Sequence, residues 1–170
     1  LFHILGILAL FIIKNIKINT ILFQVFLLYL GEISVTGGYH RLWSHKSYEA
    51  SLPLQIFYII FGTTANQSSV LWWAKAHRTH HRNEEQPGDP YNITKGLYHA
   101  HVGWLIEGND DKELHEIKMT NVDDLYENKL LVFQHQYYSY LWFITLFIIT
   151  GIPLLWGETI INSFFINFIR

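Results

Sequence analysis

Cysteine is absent from this 170-residue chain, so disulfides and thiolate metal ligands are both excluded, and any bound metal must rest on nitrogen and oxygen donors. Charge is scarce as well. Asp, Glu, Lys and Arg make up 15% of the residues, and 12 basic against 14 acidic side chains leave a formal net charge of −2. The basic residues form no stripe, which excludes nucleic acid as a partner. A glycine-rich phosphate loop, a nucleophile elbow and an HExxH motif are all missing, so none of the chemistries they serve competes for this chain. There is no internal repeat and no low-complexity tract.

What the chain has instead is apolar surface and histidine. Half of it is hydrophobic and 16% aromatic, with a positive mean hydropathy, more than a soluble domain of this size carries. A membrane is the expected solvent. Apolar runs cover about residues 1–13 and 20–38, separated by the polar turn KNIKIN, and again 137–156 and 159–170, separated by Gly157 and Glu158. This pattern predicts an all-α membrane protein of two transmembrane helical hairpins, four spans with the first and last truncated. The opening run lacks the charged start and small-residue cleavage site of a signal peptide, and Leu1 and Arg170 read as cut ends.

Between the hairpins, residues 39–136 form a polar region expected to be a helical cap. Nine of the twelve Lys and Arg fall within 39–138, an excess that favours the cytosolic side. Inside it, SLPLQIFYIIFGTTA reads as an interfacial or half-buried helix with Pro53 in its first turn. A second helix is expected to start at Ser68 or Ser69 as N-cap and to close before Pro87, Gly88 and Pro90. The acidic stretch around EGNDDKELHEIKM reads as solvated surface.

Five histidines stand out. His77, His80 and His81 lie in HRTHH, and His40 and His45 in HRLWSH upstream. Neutral imidazole is the commonest protein metal ligand, and five at such close spacing point to a held cation. At about 100° per helical residue, His77, His80 and His81 share one face, while the rings of His80 and His81 diverge by about 100° and suit two neighbouring ions. His40 and His45 differ by about 140° on an α-helix, so they either straddle two ions or mark where a helix frays. His3, His99, His101, His115 and His135 are scattered and read as ordinary surface or hydrogen-bonded histidines. Glu32 interrupts the second apolar run. It either faces a protein interior or watery cavity, or sits at the headgroup level.

Histidine-held metals beside a membrane suit redox-active iron handling oxygen next to a lipid chain, because no side chain alone attacks an unactivated C–H bond. Imidazole accepts iron and zinc alike. GGYHRLWSHKSYEA, followed by VLWWAKAHRTHHRNEEQPGDPYNITKGLYHAHVGW, closely resembles the membrane fatty-acyl desaturases of the stearoyl-CoA (delta-9) type, from about Gly37 to Gly157. The resemblance implies four spans under a cytosolic cap, two iron ions (Fe2+) held almost wholly by histidine, and O2 as co-substrate. It implies insertion of a cis double bond into a saturated fatty acyl-CoA or acyl lipid, and electrons from cytochrome b5, separate or fused, and its reductase. It places the chain in the endoplasmic reticulum membrane with the histidines facing the cytosol.

Carried over position by position, His40, His45, His77, His80 and His81 match the metal ligands of the first two histidine boxes. Gln67, Trp73 and Trp104 match positions along or near the acyl tunnel, Lys75 a basic residue near the CoA headgroup, and Glu32 a small residue close to the tunnel, where an inward carboxylate would restrict chain length. The family completes its site with an Asn and a His on the fourth span and a third histidine box, so these 170 residues alone are expected not to hold both irons. Ala76 and the run Glu107, Gly108 and Asn109 depart from the family's charged positions, which leaves the acyl carrier open. A lipid hydroxylase, or an inactive truncated protein that binds metal without turnover, are the alternatives.

Overall fold

The computed structural model describes residues 2–170; Leu1, the first residue of the expected opening span, lies outside it. Helix α1 spans Phe2–Ile12, and α2 begins at Ile18 and runs as an α-helix to Ile33. It does not stop near Gly38 as the apolar run suggested. From Ser34 to Ser44 the same helix continues as a π-helix, so His40 is a helical residue and the apolar rod measures 27 residues. Next come α3 (Leu52–Thr64), α4 (Val70–Asn83), α5 (Trp104–Ile106), α6 (Asp111–Met119), α7 (Asp123–Tyr126) and α8 (Lys129–Gln136). Helix α9 (Tyr138–Gly151) tightens into a 3-10 turn over Ile152–Trp156, where Pro153 cannot continue the α ladder, and α10 covers Ile160–Ile169. No strand occurs among the described residues.

Two helices, Ile18–Ser44 and Tyr138–Trp156, are long and apolar enough to cross a bilayer. Helices α1 and α10 are apolar but only 11 and 10 residues long. Large side chains such as Phe11, Phe147 and Leu155 are 76%, 81% and 85% exposed, an apolar exterior that suits lipid. Helix α1 packs along α10, α9 against α10 and α3, and α2 against α3. The two interhelical turns are clasped together: Glu158 accepts from the Lys17 and Thr159 backbone amides, the Thr20 hydroxyl and the Asn162 side-chain carboxamide at 2.8–3.0 Å. Gly157 turns the chain there at φ 77°, a left-handed conformation in which a side chain would be strained.

The core lies under the histidines. Tyr39, Leu42 and Trp43 of the π-segment meet Tyr58 of α3, Val70, Leu71 and Ala74 of α4, Leu125 of α7 and Leu131 of α8. A Cβ at Gly38 would stand 2.7 Å from that of Tyr58, so the close approach of α3 to the π-segment requires glycine. Helix α3 is half-buried, its inner side formed by Tyr58, Gly62, Thr63 and Thr64. Gln134, wholly buried on α8, donates to the Tyr39 hydroxyl at 3.0 Å and accepts from the Val70 amide at 2.9 Å, tying the start of α4 to the π-segment.

The acidic stretch is not simply solvated. Asp110 caps α6 with a reciprocal capping box, and Glu113 is 1% exposed, bonded to Lys95 Nζ at 2.6 Å and to the Asp110 amide at 2.8 Å.

Candidate metal centre

An α-helix would turn residue i+5 well away from residue i, whereas i→i+5 hydrogen bonding stacks the two. The His45 amide bonds the His40 carbonyl at 3.0 Å, and the Ser44 hydroxyl bonds the Tyr39 carbonyl at 2.7 Å. His40 and His45 therefore lie on one side, with ring centroids 4.5 Å apart. The pair belongs to a regular π-segment that ends at Ser44 with His45 as its C-cap, not to a frayed α-helix.

Facing them is α4. Ser69, not Ser68, is its N-cap, accepting from the Trp72 amide, and one turn of helix separates His77 from His81. Four ligand nitrogens, from His40, His45, His77 and His81, all lie within 4.8 Å of one another. His45 Nε2 and His81 Nε2 each stand 3.1 Å from His77 Nε2. Donors about 2.1 Å from a shared ion are roughly 3.0–3.4 Å apart in octahedral or tetrahedral geometry, so the spacing fits a transition metal. Burial, reinforced by the His81, His40, His45 and His80 imidazoles, pushes His77 down to about 3, and burial likewise lowers His45. Both are neutral at physiological pH and offer lone pairs.

His80 stands apart from the four. Its ring centroid is 5.3 Å from that of His81 and 6.1 Å from that of His77. Its Nδ1 bonds Asp89 Oδ1 at 2.8 Å, and the buried Asp89 carboxylate is itself held by the Glu85 and Tyr91 amides. With Nδ1–H donating to that carboxylate, Nε2 keeps its lone pair for a metal. His77 Nδ1 meets the Tyr91 hydroxyl at 3.0 Å in the same way. Asp89 and Tyr91 were not singled out from the sequence; the turn GDPYN, six residues past HRTHH, was their only signal.

Beside the cluster, Trp72, Trp73, Ala76, His77, Tyr91, Ala100 and Trp104 line a cleft of about 260 Å³. Trp73 stacks on His77 at 4.7 Å and donates its indole N–H to Gln67 Oε1 at 2.9 Å; Trp72 and Trp104 stack at 5.8 Å. Of the residues assigned to substrate, Trp73 and Trp104 thus share the cleft, and Gln67 reaches it through Trp73. Lys75 is half-buried on α4 and does not line it. Glu32 is exposed on the outside of α2, and it is Gly31 that faces α3, so the inward-pointing carboxylate is not found.

The remaining histidines mostly behave as ordinary ones. His3, His101, His115 and His135 are exposed, and His135 bonds the Ser69 hydroxyl. His99 differs: it is buried 3.9 Å from Glu113, with no hydrogen-bond partner at Nε2 among the described residues.

No family model matches the chain. It is 36% identical over 171 residues to an acyl-CoA Delta(11) desaturase of Choristoneura rosaceana, covering 99% of this chain and 51% of that protein. It is 38% identical over 173 residues to the stearoyl-CoA desaturase of Homo sapiens, covering 100% and 48%, and 38% identical over 152 residues to acyl-CoA desaturase 1 of Saccharomyces cerevisiae, covering 89% and 28%. The chain spans about half the length of the first two of these relatives. Over nearly all of its own length it is a homologue of the acyl-CoA desaturases.

Proposed function

We propose that this chain is the metal-bearing part of an oxygen-dependent fatty acyl desaturase that inserts a cis double bond, at delta-9, into a saturated acyl-CoA. The observation that carries the reading is the convergence of four imidazole nitrogens within 4.8 Å beside an aromatic cleft whose wall includes one of the ligands, His77. His40, His45, His77 and His81 would hold one ion, and His80, oriented by Asp89, would contribute to a second. Iron held there would, with O2, supply the oxidising power to remove two hydrogens from adjacent methylenes, two further electrons and two protons completing the reduction of O2 to two waters.

The side chains do the rest. Trp73, locked by Gln67 and stacked on His77, would hold an acyl chain against the site, and Trp72 and Trp104 would exclude water from it. Asp89 and Tyr91 would fix the ring orientations of His80 and His77. Four spans in the endoplasmic reticulum membrane, a cytosolic cap, and cytochrome b5 with its reductase as electron source belong to the same proposal. It is supported by the homology and by two long apolar helices on either side of the polar region.

The test is expression of the complete protein containing this chain in cells lacking their own delta-9 desaturase, followed by chromatography of total fatty acids. Palmitoleic or oleic acid should appear, and should be lost in His77→Ala and His81→Ala. Products heavier by one oxygen would instead make it a hydroxylase, and unchanged lipids despite stable membrane expression would overturn catalysis altogether.

A further inference from the structure

One cation inside HRTHH has no part in the metal reading above. Arg78 follows His77 on α4, yet its guanidinium, 17% exposed, reaches across to the other histidine pair. Nη2 donates to the Trp43 carbonyl at 2.6 Å and Nε to the Ser44 carbonyl at 3.2 Å, the last two residues of the π-segment and the two that directly precede His45. A helix end leaves such carbonyls without intrahelical donors, and the i→i+5 pattern leaves one more than an α-helix does. On its other side the same group makes a two-pronged bond to Asp124 of α7, Nη1 to Oδ1 at 2.8 Å and Nη2 to Oδ2 at 2.9 Å, with Lys46 Nζ 3.0 Å from that carboxylate. Nη1 also meets the Asn121 carbonyl at 3.2 Å.

We infer that Arg78 is the positioning residue that sets the distance between the two histidine pairs, by fixing the end of the π-segment to α4 beside His77. The argument is geometric. His45 and His77 sit on separate helices with their nitrogens 3.1 Å apart, and the backbone ahead of His45 is held to α4 by the guanidinium on the very next residue after His77. The planar fork satisfies four carbonyl and carboxylate partners at once, which a lysine ammonium cannot reproduce. Asp124 in turn orients the fork, and the Arg78 guanidinium holds that carboxyl down at about 2, so the pair stays charged at any physiological pH. Arg82, on the same helix, is the natural control: its ion pair with Glu116 at 2.6 Å is exposed and reaches α6 rather than the π-segment.

This inference rests on the metal reading, and its test separates the two. The purified, metal-free full-length protein is titrated with Co2+, reading both affinity and the visible ligand-field band. Arg78→Gln and Arg78→Lys are expected to lose roughly 10- to 100-fold in Co2+ affinity, as changes just behind a ligand do, and to show an altered band at saturation. Arg82→Gln should match the parent protein. A mere loss of fold stability would leave the affinity and band of the folded fraction as in the parent, and that result overturns the inference. Should Arg78→Gln fail to fold, Asp124→Asn decides, with a smaller loss of affinity expected and an unchanged affinity and band overturning the role. If the parent protein takes up no Co2+, the metal reading itself falls, and this inference with it.

Discussion

Two polar clusters sit in otherwise apolar surroundings, and they are built in opposite ways. At the turns of the hairpins, the Glu158 carboxylate meets a donor at every contact: two amides, a hydroxyl and a carboxamide, while the Asn162 carboxamide also reaches the Lys14 carbonyl. The histidine cluster turns the Nε2 atoms of His45 and His81 toward that of His77 at 3.1 Å, and gives the partnered nitrogens of His77 and His80 to Tyr91 and Asp89. The first arrangement satisfies itself and stabilises a fold. The second gathers imidazole nitrogens that can share a cation, which is what the proposed centre asks of them.

The sharpest way to break this comparison is at the second site. Asp89→Asn removes the charge that orients His80 while leaving the other four histidines in place. A loss of roughly 10- to 100-fold in activity or in second-ion affinity is expected, with uptake of the first ion retained, measured by metal analysis of the purified full-length protein. If both ions are lost together, the two-position reading of the site is wrong.

Glu158→Ala should do the reverse. It strands four donors in a buried setting, a cost of about 2–3 kcal/mol, and should lower the unfolding temperature in detergent while metal content per folded molecule stays constant. A change in metal content would show that the clasp and the centre are one cooperative unit.

The pH dependence of metal uptake sharpens the contrast further. A histidine competes for a proton only below its own pKa, and burial has pushed His77 down to about 3 and lowered His45 from 6.5. With these two imidazoles unprotonated, uptake should change little between pH 8 and pH 6.5 and weaken below that. A steep loss already between pH 8 and pH 7 would contradict the lowered values of His77 and His45.

The smallest effect is expected at Ser69, whose hydroxyl caps α4 and bonds His135. Ser69→Ala should cost about 1 kcal/mol, read as a modest fall in unfolding temperature, without altering the metal centre.

The residues of the centre were legible in the sequence because their spacing is unusual for anything else. HRTHH on an α-helix puts His77 and His81 one turn apart and turns the His80 ring away from that of His81, and in the structure those two ring centroids stand 5.3 Å apart. HRLWSH was not legible in the same way, because the angle between His40 and His45 depends on whether the backbone is α or π. That choice is made by packing: Gly38 admits Tyr58, and Tyr39 is fixed by Gln134 some 95 residues along the chain. Asp89 and Tyr91 looked like turn residues, and Glu113 like a surface acid, because neither local pattern reveals which long-range partner will close over it. Glu32 shows an ambiguity of another kind: a carboxylate in an apolar run allowed either an inward role or a place at the headgroup level, and the helix turns Gly31 inward and leaves Glu32 exposed.

By itself the sequence determined that this protein is helical and membrane-suited, and that with no cysteine the candidate metal donors are nitrogen and oxygen, foremost the five clustered histidines, because composition and local periodicity fix solvent and ligand chemistry. Only the tertiary structure decided that four of those histidines converge while the fifth turns to Asp89, that a π-helix delivers the first pair, and that Arg78 reaches from one pair to the backbone of the other. Apart from the His80–Asp89 bond, which spans nine positions, those outcomes depend on contacts between residues dozens of positions apart, set by the packing of α3, α4, α7 and α8 around the π-segment, and no local pattern encodes them.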